Sequence, residues 1–215
     1  MMLLHLIKKE FVIIKKYVLF MIAVVLLIPP FIRQNMPPEL ADSTGFAISA
    51  VYAVFMLLMF VCVKEFQYPK ASALLCASPY PRSLMVLSKY GFCIVVFAAC
   101  CVLYWLETLL LPQLGVFRLE TVLAAFAGIV LLISIYLPIQ FKLGYVKTRF
   151  FFIVVMMASP FLLPRLPEIG GSPFLTVIQS MPAALLCVLL AGLSLILLIL
   201  SSIVSIGIYN KKDLV

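Results

Sequence analysis

The chain is 215 residues long, 66% hydrophobic and only 11% charged, with a net charge of +8 and a mean hydropathy of +1.25. So little polar surface excludes a soluble globule and leaves apolar length for several membrane crossings. The basic excess does not point to nucleic acid, because the lysines and arginines are scattered between apolar runs and form no domain that could hold a phosphate backbone.

The first sixteen residues, MMLLHLIKKEFVIIKK, separate cleanly on a helical wheel. His5, Lys8, Lys9, Lys15 and Lys16 gather on one arc, and Leu3, Leu4, Leu6, Ile7, Phe11, Ile13 and Ile14 occupy the other. This predicts an interfacial helix over 1–16 lying along the membrane. A cleaved signal peptide fits less well, since no small-residue cleavage site follows the apolar run. Glu10 breaks the pattern by projecting into the apolar arc, where it either snorkels to the interface or pairs with a basic neighbour. His5, the sole histidine, reads as an exposed interfacial side chain.

A first crossing is expected from Tyr17 to about Ile32, ended by Pro29 and Pro30, and a second from Thr44 to about Val63. Residues 64–90, KEFQYPKASALLCASPYPRSLMVLSKY, then form the one long basic interruption of the first half, with Lys64, Lys70, Arg82 and Lys89 against a single Glu65. Pro69, Pro79 and Pro81 cut it into short pieces and leave a helix over 70–77. Leu74 and Leu75 at its centre are too few to span a bilayer, yet enough to fill a groove on a partner; a loop lying on the lipid surface fits the same pattern.

The third crossing is expected from Tyr90 to about Leu111, closed by Pro112, and the fourth from Thr121 to about Phe141. The fifth, 150–163, falls short of the roughly 20 residues a span needs. It runs into a Pro- and Gly-rich extracellular segment, 160–182, where irregular or re-entrant backbone near the outer surface, covered by protein, is expected. A sixth crossing, Ala183 to about Tyr209, ends at NKKDLV. Alternating sides puts Lys8, Lys9, Lys15, Lys16, Lys64, Lys70, Arg82, Lys89, Lys142, Lys147, Arg149, Lys211 and Lys212 on one side, and only Arg33, Arg118 and Arg165 on the other. By the positive-inside rule both termini and the 64–90 loop face the cytoplasm. The expected fold class is therefore all-α: six transmembrane helices preceded by an amphipathic interfacial helix, with 1–215 as a single membrane domain.

A membrane enzyme or ion-coupled carrier needs ionisable groups deep in the bilayer, and these spans hold almost none. Glu107 is the exception. At about 27 Å along the helix from Lys89 it falls near the outer interface, either as a solvated or paired carboxylate at a helix end or as an outer-gate contact. There is no P-loop, no GxSxG, no HExxH and no carboxylate pair, so the chain neither binds nucleotide in a recognised way nor activates a nucleophile. The six cysteines form no CxxC and have no histidine nearby, which indicates neither a zinc site nor a disulfide framework. Ala47, Ala50, Ser201, Ser205 and Gly207 are small enough to bring helices together, and Tyr52, Tyr104, Trp105 and Tyr136 read as packing or interface anchors.

Taken together, three segments resemble the small permease subunits of type 2 (ABC-2-type) ABC transporters. MLLHLIKKEFVIIKKY is similar to the elbow helix of that family, LLCASPYPRSLMVLSKY to its loop before the third span, and LPIQFKLGYVKTRF to its inner loop after the fourth. The closing SSIVSIGIYNKKDL is similar too, whereas Tyr80 and Pro81 depart from the usual form. The resemblance implies a permease of the bacterial cell membrane without its own ATPase. Two copies, or two related chains, would form the pore, each docked on a cytoplasmic ATP-binding subunit that holds ATP and magnesium. No catalytic residue, metal or cofactor is then expected in this chain.

On that resemblance the helix around Leu74 and Leu75 is a coupling helix seated in the ATPase, with Glu10, Arg82, Lys89, Lys142, Lys147 and Arg149 orienting the contact by charge. Glu107 would serve an outer gate, and the cargo would be an exported hydrophobic or amphipathic molecule: peptide, lipid-like or drug-like. Two other readings compete. A non-transporting scaffold or assembly protein would use the same basic loop to recruit a soluble partner, and a vitamin-capturing subunit would need a polar ligand pocket that the spans do not offer.

Overall fold

The computed structural model describes residues 2–35, 38–68, 81–110, 119–150, 153–154, 157–158 and 183–211. The long elements among them are all helices: α1 (Met2–Ile13), α2 (Lys15–Asn35), α3 (Pro38–Gln67), α4 (Arg82–Leu110), α5 (Leu119–Leu143) and α6 (Ala183–Asn210). Five contain stretches long and apolar enough to cross a membrane, namely Lys15–Gln34, Thr44–Gln67, Ser83–Leu110, Leu119–Leu143 and Leu185–Asn210. The chain is a polytopic helical membrane protein. The fifth expected crossing, 150–163, and the segment 160–182 lie outside the described residues, apart from residue 150 and helical pairs at 153–154 and 157–158.

Two boundaries differ from expectation. Pro29 and Pro30 do not end α2, which continues to Asn35. The two prolines remove donors only near the end of the helix, and α3 braces it there: a Cβ on Gly45 would lie 3.4 Å from Pro29 Cα, so the backbones nearly touch. The second difference is that α4 begins at Arg82, well before Tyr90. Pro81 stands just ahead of the helix, and its carbonyl accepts the Leu84 N–H at 2.9 Å, opening the first turn. With α3 running to Gln67, the expected loop over 64–90 can occupy no more than the stretch 68–81, of which 69–80 lie outside the described residues. Leu74, Leu75 and the expected helix over 70–77 lie outside the described residues.

Aromatic contacts fix the directions of the helices. At one end Phe46 of α3 meets Tyr104 of α4 at 4.7 Å between ring centroids; at the other, Tyr17 of α2 stacks on Phe60 of α3 at 4.1 Å. Neighbours α2, α3 and α4 are therefore antiparallel. By contrast, Ser134 of α5 lies beside Leu197 and Ser201 of α6, and Phe141 beside Tyr209, so these two run parallel. One end of the bundle, the basic end, gathers Lys64, Lys89 and Lys142.

Of the apolar stretch in α3, 67% is buried within the chain, against 11% in α6, so α3 is the central post and α6 sits at the edge. Lipid is as apolar as leucine, so packing and hydrogen bonds hold α6 in place. Ser201 donates to the Ser134 carbonyl at 3.0 Å, and the Tyr90 hydroxyl lies 2.6 Å from Ser201 and 2.8 Å from Ser205. Each such bond contributes about 0.6 kcal/mol in a membrane protein.

Candidate functional site

The basic end is where four elements converge behind the 68–81 loop. Apolar residues bring α1 there: Leu6 and Ile7 are buried, and Phe11 meets Phe92 of α4 at 4.9 Å between centroids. Gly91 admits the approach, because a Cβ in its place would come within 2.8 Å of Ile7 Cδ1. His5 and Lys8 remain exposed on the outer arc of the helix, as the wheel predicts.

This docking carries Glu10 inward until it is 1% exposed. Its carboxylate meets Lys9 at 3.1 Å, which answers the sequence-level alternative in favour of an ion pair. Lys9 also reaches Glu65 of α3 at 3.9 Å, and Glu65 holds the buried Lys89 of α4 at 2.5 Å. Two cations and two carboxylates thus form a chain, Glu10–Lys9–Glu65–Lys89, across three helices. Lys89 further sits 5.4 Å above the Phe141 ring of α5, beside which Gln140 donates to the Cys62 sulfur at 2.7 Å. Burial pushes the Glu10 carboxyl above the ordinary carboxylate range; the nearby Glu65 charge adds to the rise, and Lys9 and Lys89 oppose it. Its Oε2 has no hydrogen-bond partner among the described residues.

The arrangement is electrically balanced and closed, which suits it to holding helix ends in register and not to acid–base chemistry. No group of three metal-ligating side chains occurs among the described residues. Glu10 and Lys89, expected to face a partner, have their charges engaged inside the chain. Lys142, Lys147 and Arg149 are exposed on the basic end, the last two on a short helix over 145–150. That helix follows Gly144, whose φ of 78° suits glycine and turns the chain out of α5. Arg82 is the first residue of α4. Glu107 is 4% exposed and therefore not a solvated helix-end carboxylate; its Oε2 has no hydrogen-bond partner among the described residues.

Sequence reasoning missed the part played by Glu65. It was visible as the lone acid of a basic stretch, but its bridging position depends on α4 starting early enough to present Lys89 from a helix. Also missed was an aromatic ledge at the mouth of the loop, where Phe66 and Tyr68 are exposed and Phe66 packs on Tyr145 at 5.6 Å between centroids.

A family model described as ABC-2 family transporter protein matches residues 5–210. Neither a curated protein nor a solved structure matches the chain.

Proposed function

The chain belongs to the ABC-2 family of transporter proteins, and from that membership we propose that it is the permease subunit of an ABC exporter, driven by ATP hydrolysis in a separate cytoplasmic subunit. The observation that carries this reading is the construction behind the 68–81 loop. Beside the two ends of that stretch, exposed Phe66 and Tyr68 and the cations Lys142, Lys147 and Arg149 are rooted on the buried chain Glu10–Lys9–Glu65–Lys89. Such a root lets a push on the loop move α1, α3 and α4 together instead of bending one helix end.

In this reading Leu74 and Leu75 seat in the ATPase, and Arg82, Lys142, Lys147 and Arg149 steer its docking. Glu10 and Lys89 act from behind by fixing the loop's root. Closure of the ATPase on nucleotide displaces the loop and biases the pore between inward-open and outward-open states. Glu107, buried at the opposite end, belongs to the outer gate. Helix α1 is the elbow helix, the basic end is cytoplasmic under the positive-inside rule, and a second permease copy or paralogue completes the pore in the bacterial cell membrane. ATP and magnesium belong to the ATPase, and the apolar spans favour a hydrophobic or amphipathic cargo.

Six crossings are supported by the parallel run of α5 and α6. The chain leaves α5 at the basic end and enters α6 at the opposite one, which agrees with the crossing expected between them.

Co-reconstitution of the permease with its ATPase in vesicles tests the proposal. Leu74→Asp together with Leu75→Asp is expected to leave the permease folded and inserted while abolishing its stimulation of ATP hydrolysis. Undiminished stimulation would reject the coupling role, and retained ATPase binding without transport by the unaltered protein would favour the scaffold.

A further inference from the structure

Between α2, α3 and α4 lies an apolar cleft of about 340 Å³, open along one side. Val18, Met21, Ile22 and Val25 form its α2 wall, Leu57 closes its back, and Phe11 of α1 also lines it. The α2 residues recur at the spacing of one helical face, and the same face continues one turn back to Lys15. Lys15 and its neighbour Lys16 are both exposed.

Two physical facts restrict what fills this cleft. Its lining offers water nothing better than the weakly hydrogen-bonding Cys100 thiol, and a bilayer surrounds its open side with hydrocarbon. The distance is also telling: from Lys15 to Val25 the helix rises about 15 Å, half of a hydrocarbon core about 30 Å thick. A cation thus stands at headgroup level and the cleft reaches down to the midplane, the length of one leaflet.

We propose that this cleft is a binding site for one phospholipid of the leaflet at the basic end. One acyl chain lies along Val18, Ile22 and Val25, and the anionic headgroup is held by Lys15 and Lys16. Because Phe11 borders the site, the lipid bridges α1 to α2 and α4 where the chain of ion pairs does not reach. The assignment rests on the membrane setting alone and is independent of cargo, transport direction and ATPase.

The test is photo-crosslinking of the purified protein in vesicles of phosphatidylglycerol and phosphatidylcholine, using either lipid with a diazirine on its acyl chain, followed by mapping of the labelled peptides. Adducts from the phosphatidylglycerol probe are expected to concentrate on 18–25 and 99–103, above the labelling of exposed α6 residues such as Leu189 and Ile196. Ala99 lines the cleft and is exposed to its open side, so Ala99→Phe fills the site without disturbing buried packing. That variant is expected to lose the cleft adducts, keep those on α6 and remain monodisperse on gel filtration. Lys15→Gln with Lys16→Gln is expected to lower the preference for the anionic probe roughly thirtyfold, as two interfacial lysines would supply.

Equal labelling of the cleft and α6 would overturn the proposal, as would cleft labelling insensitive to Ala99→Phe or equal for both headgroups. Absent cleft adducts with disulfide-linked dimers of Ile22→Cys would overturn it in favour of a second copy of the chain seated there.

Discussion

A buried lysine is tolerable only beside its counter-charge, and Lys89 depends on Glu65. Glu65→Ala should therefore cost about 3 kcal/mol, near the lower end for breaking a buried pair because Glu65 is itself partly exposed. Removing the lysine as well, in Glu65→Ala with Lys89→Met, should recover most of the loss. Denaturation in detergent micelles checks both, and an additive double variant would contradict the pairing. Glu10 gives a pH signature. Its folded pKa is raised, so the folded chain keeps a proton that the unfolded chain releases, and its contribution to stability falls as pH rises from the ordinary carboxylate range through the raised value. Lys9, Glu65 and Lys89 are the charged groups that face it. Hydrogen exchange of α1 amides should accordingly quicken with pH beyond the intrinsic rate, and Glu10→Gln should flatten that excess. The same excess in Glu10→Gln would assign the titration elsewhere.

At the level of elements, the sequence showed more about where helices lie than about where they stop. Runs of apolar residues marked five spans well, since hydropathy over some twenty residues averages out local detail. The ends at Pro29–Pro30 and Pro81 differ from the proline signals, because partners distant in sequence outweigh or exploit them. A contact such as that between Gly45 and Pro29 joins residues distant in sequence and leaves no local mark. Gly91 is a second instance: it looks like an unremarkable glycine in an apolar run, yet it is where α1 lands on α4. Gly91→Leu should push Ile7 away and lift α1 from α4, visible as increased protease cleavage within 2–13 while the five spans stay intact. Unchanged protection of α1 would show that it is held by its ion pairs alone.

For the molecule as a whole, family membership and the membrane class were legible from three segments and the composition. The candidate site was legible only in part. Charged positions around the loop were named, but which of them face outward and which are paired inside depends on helix register, and the wheel placed only Glu10. Orientation is testable on the intact protein: with all six native cysteines replaced, Lys142→Cys should react with a membrane-impermeant maleimide only after the inner face is opened, and Arg33→Cys in sealed right-side-out cells. The reverse pattern would invert the topology and with it the proposed coupling.

The parallel alignment of α5 and α6 has a consequence for biogenesis. Ser134 and Tyr90 leave the ribosome long before Ser201 and Ser205, which lie on the last helix. Until that helix is inserted, hydroxyls on α4 and α5 wait in the bilayer without their final partners, and the nascent chain presents an unfinished polar seam. Premature stop codons ahead of residue 201 should thus yield chains that insert but are cleared by quality-control proteases, whatever the state of their earlier helices.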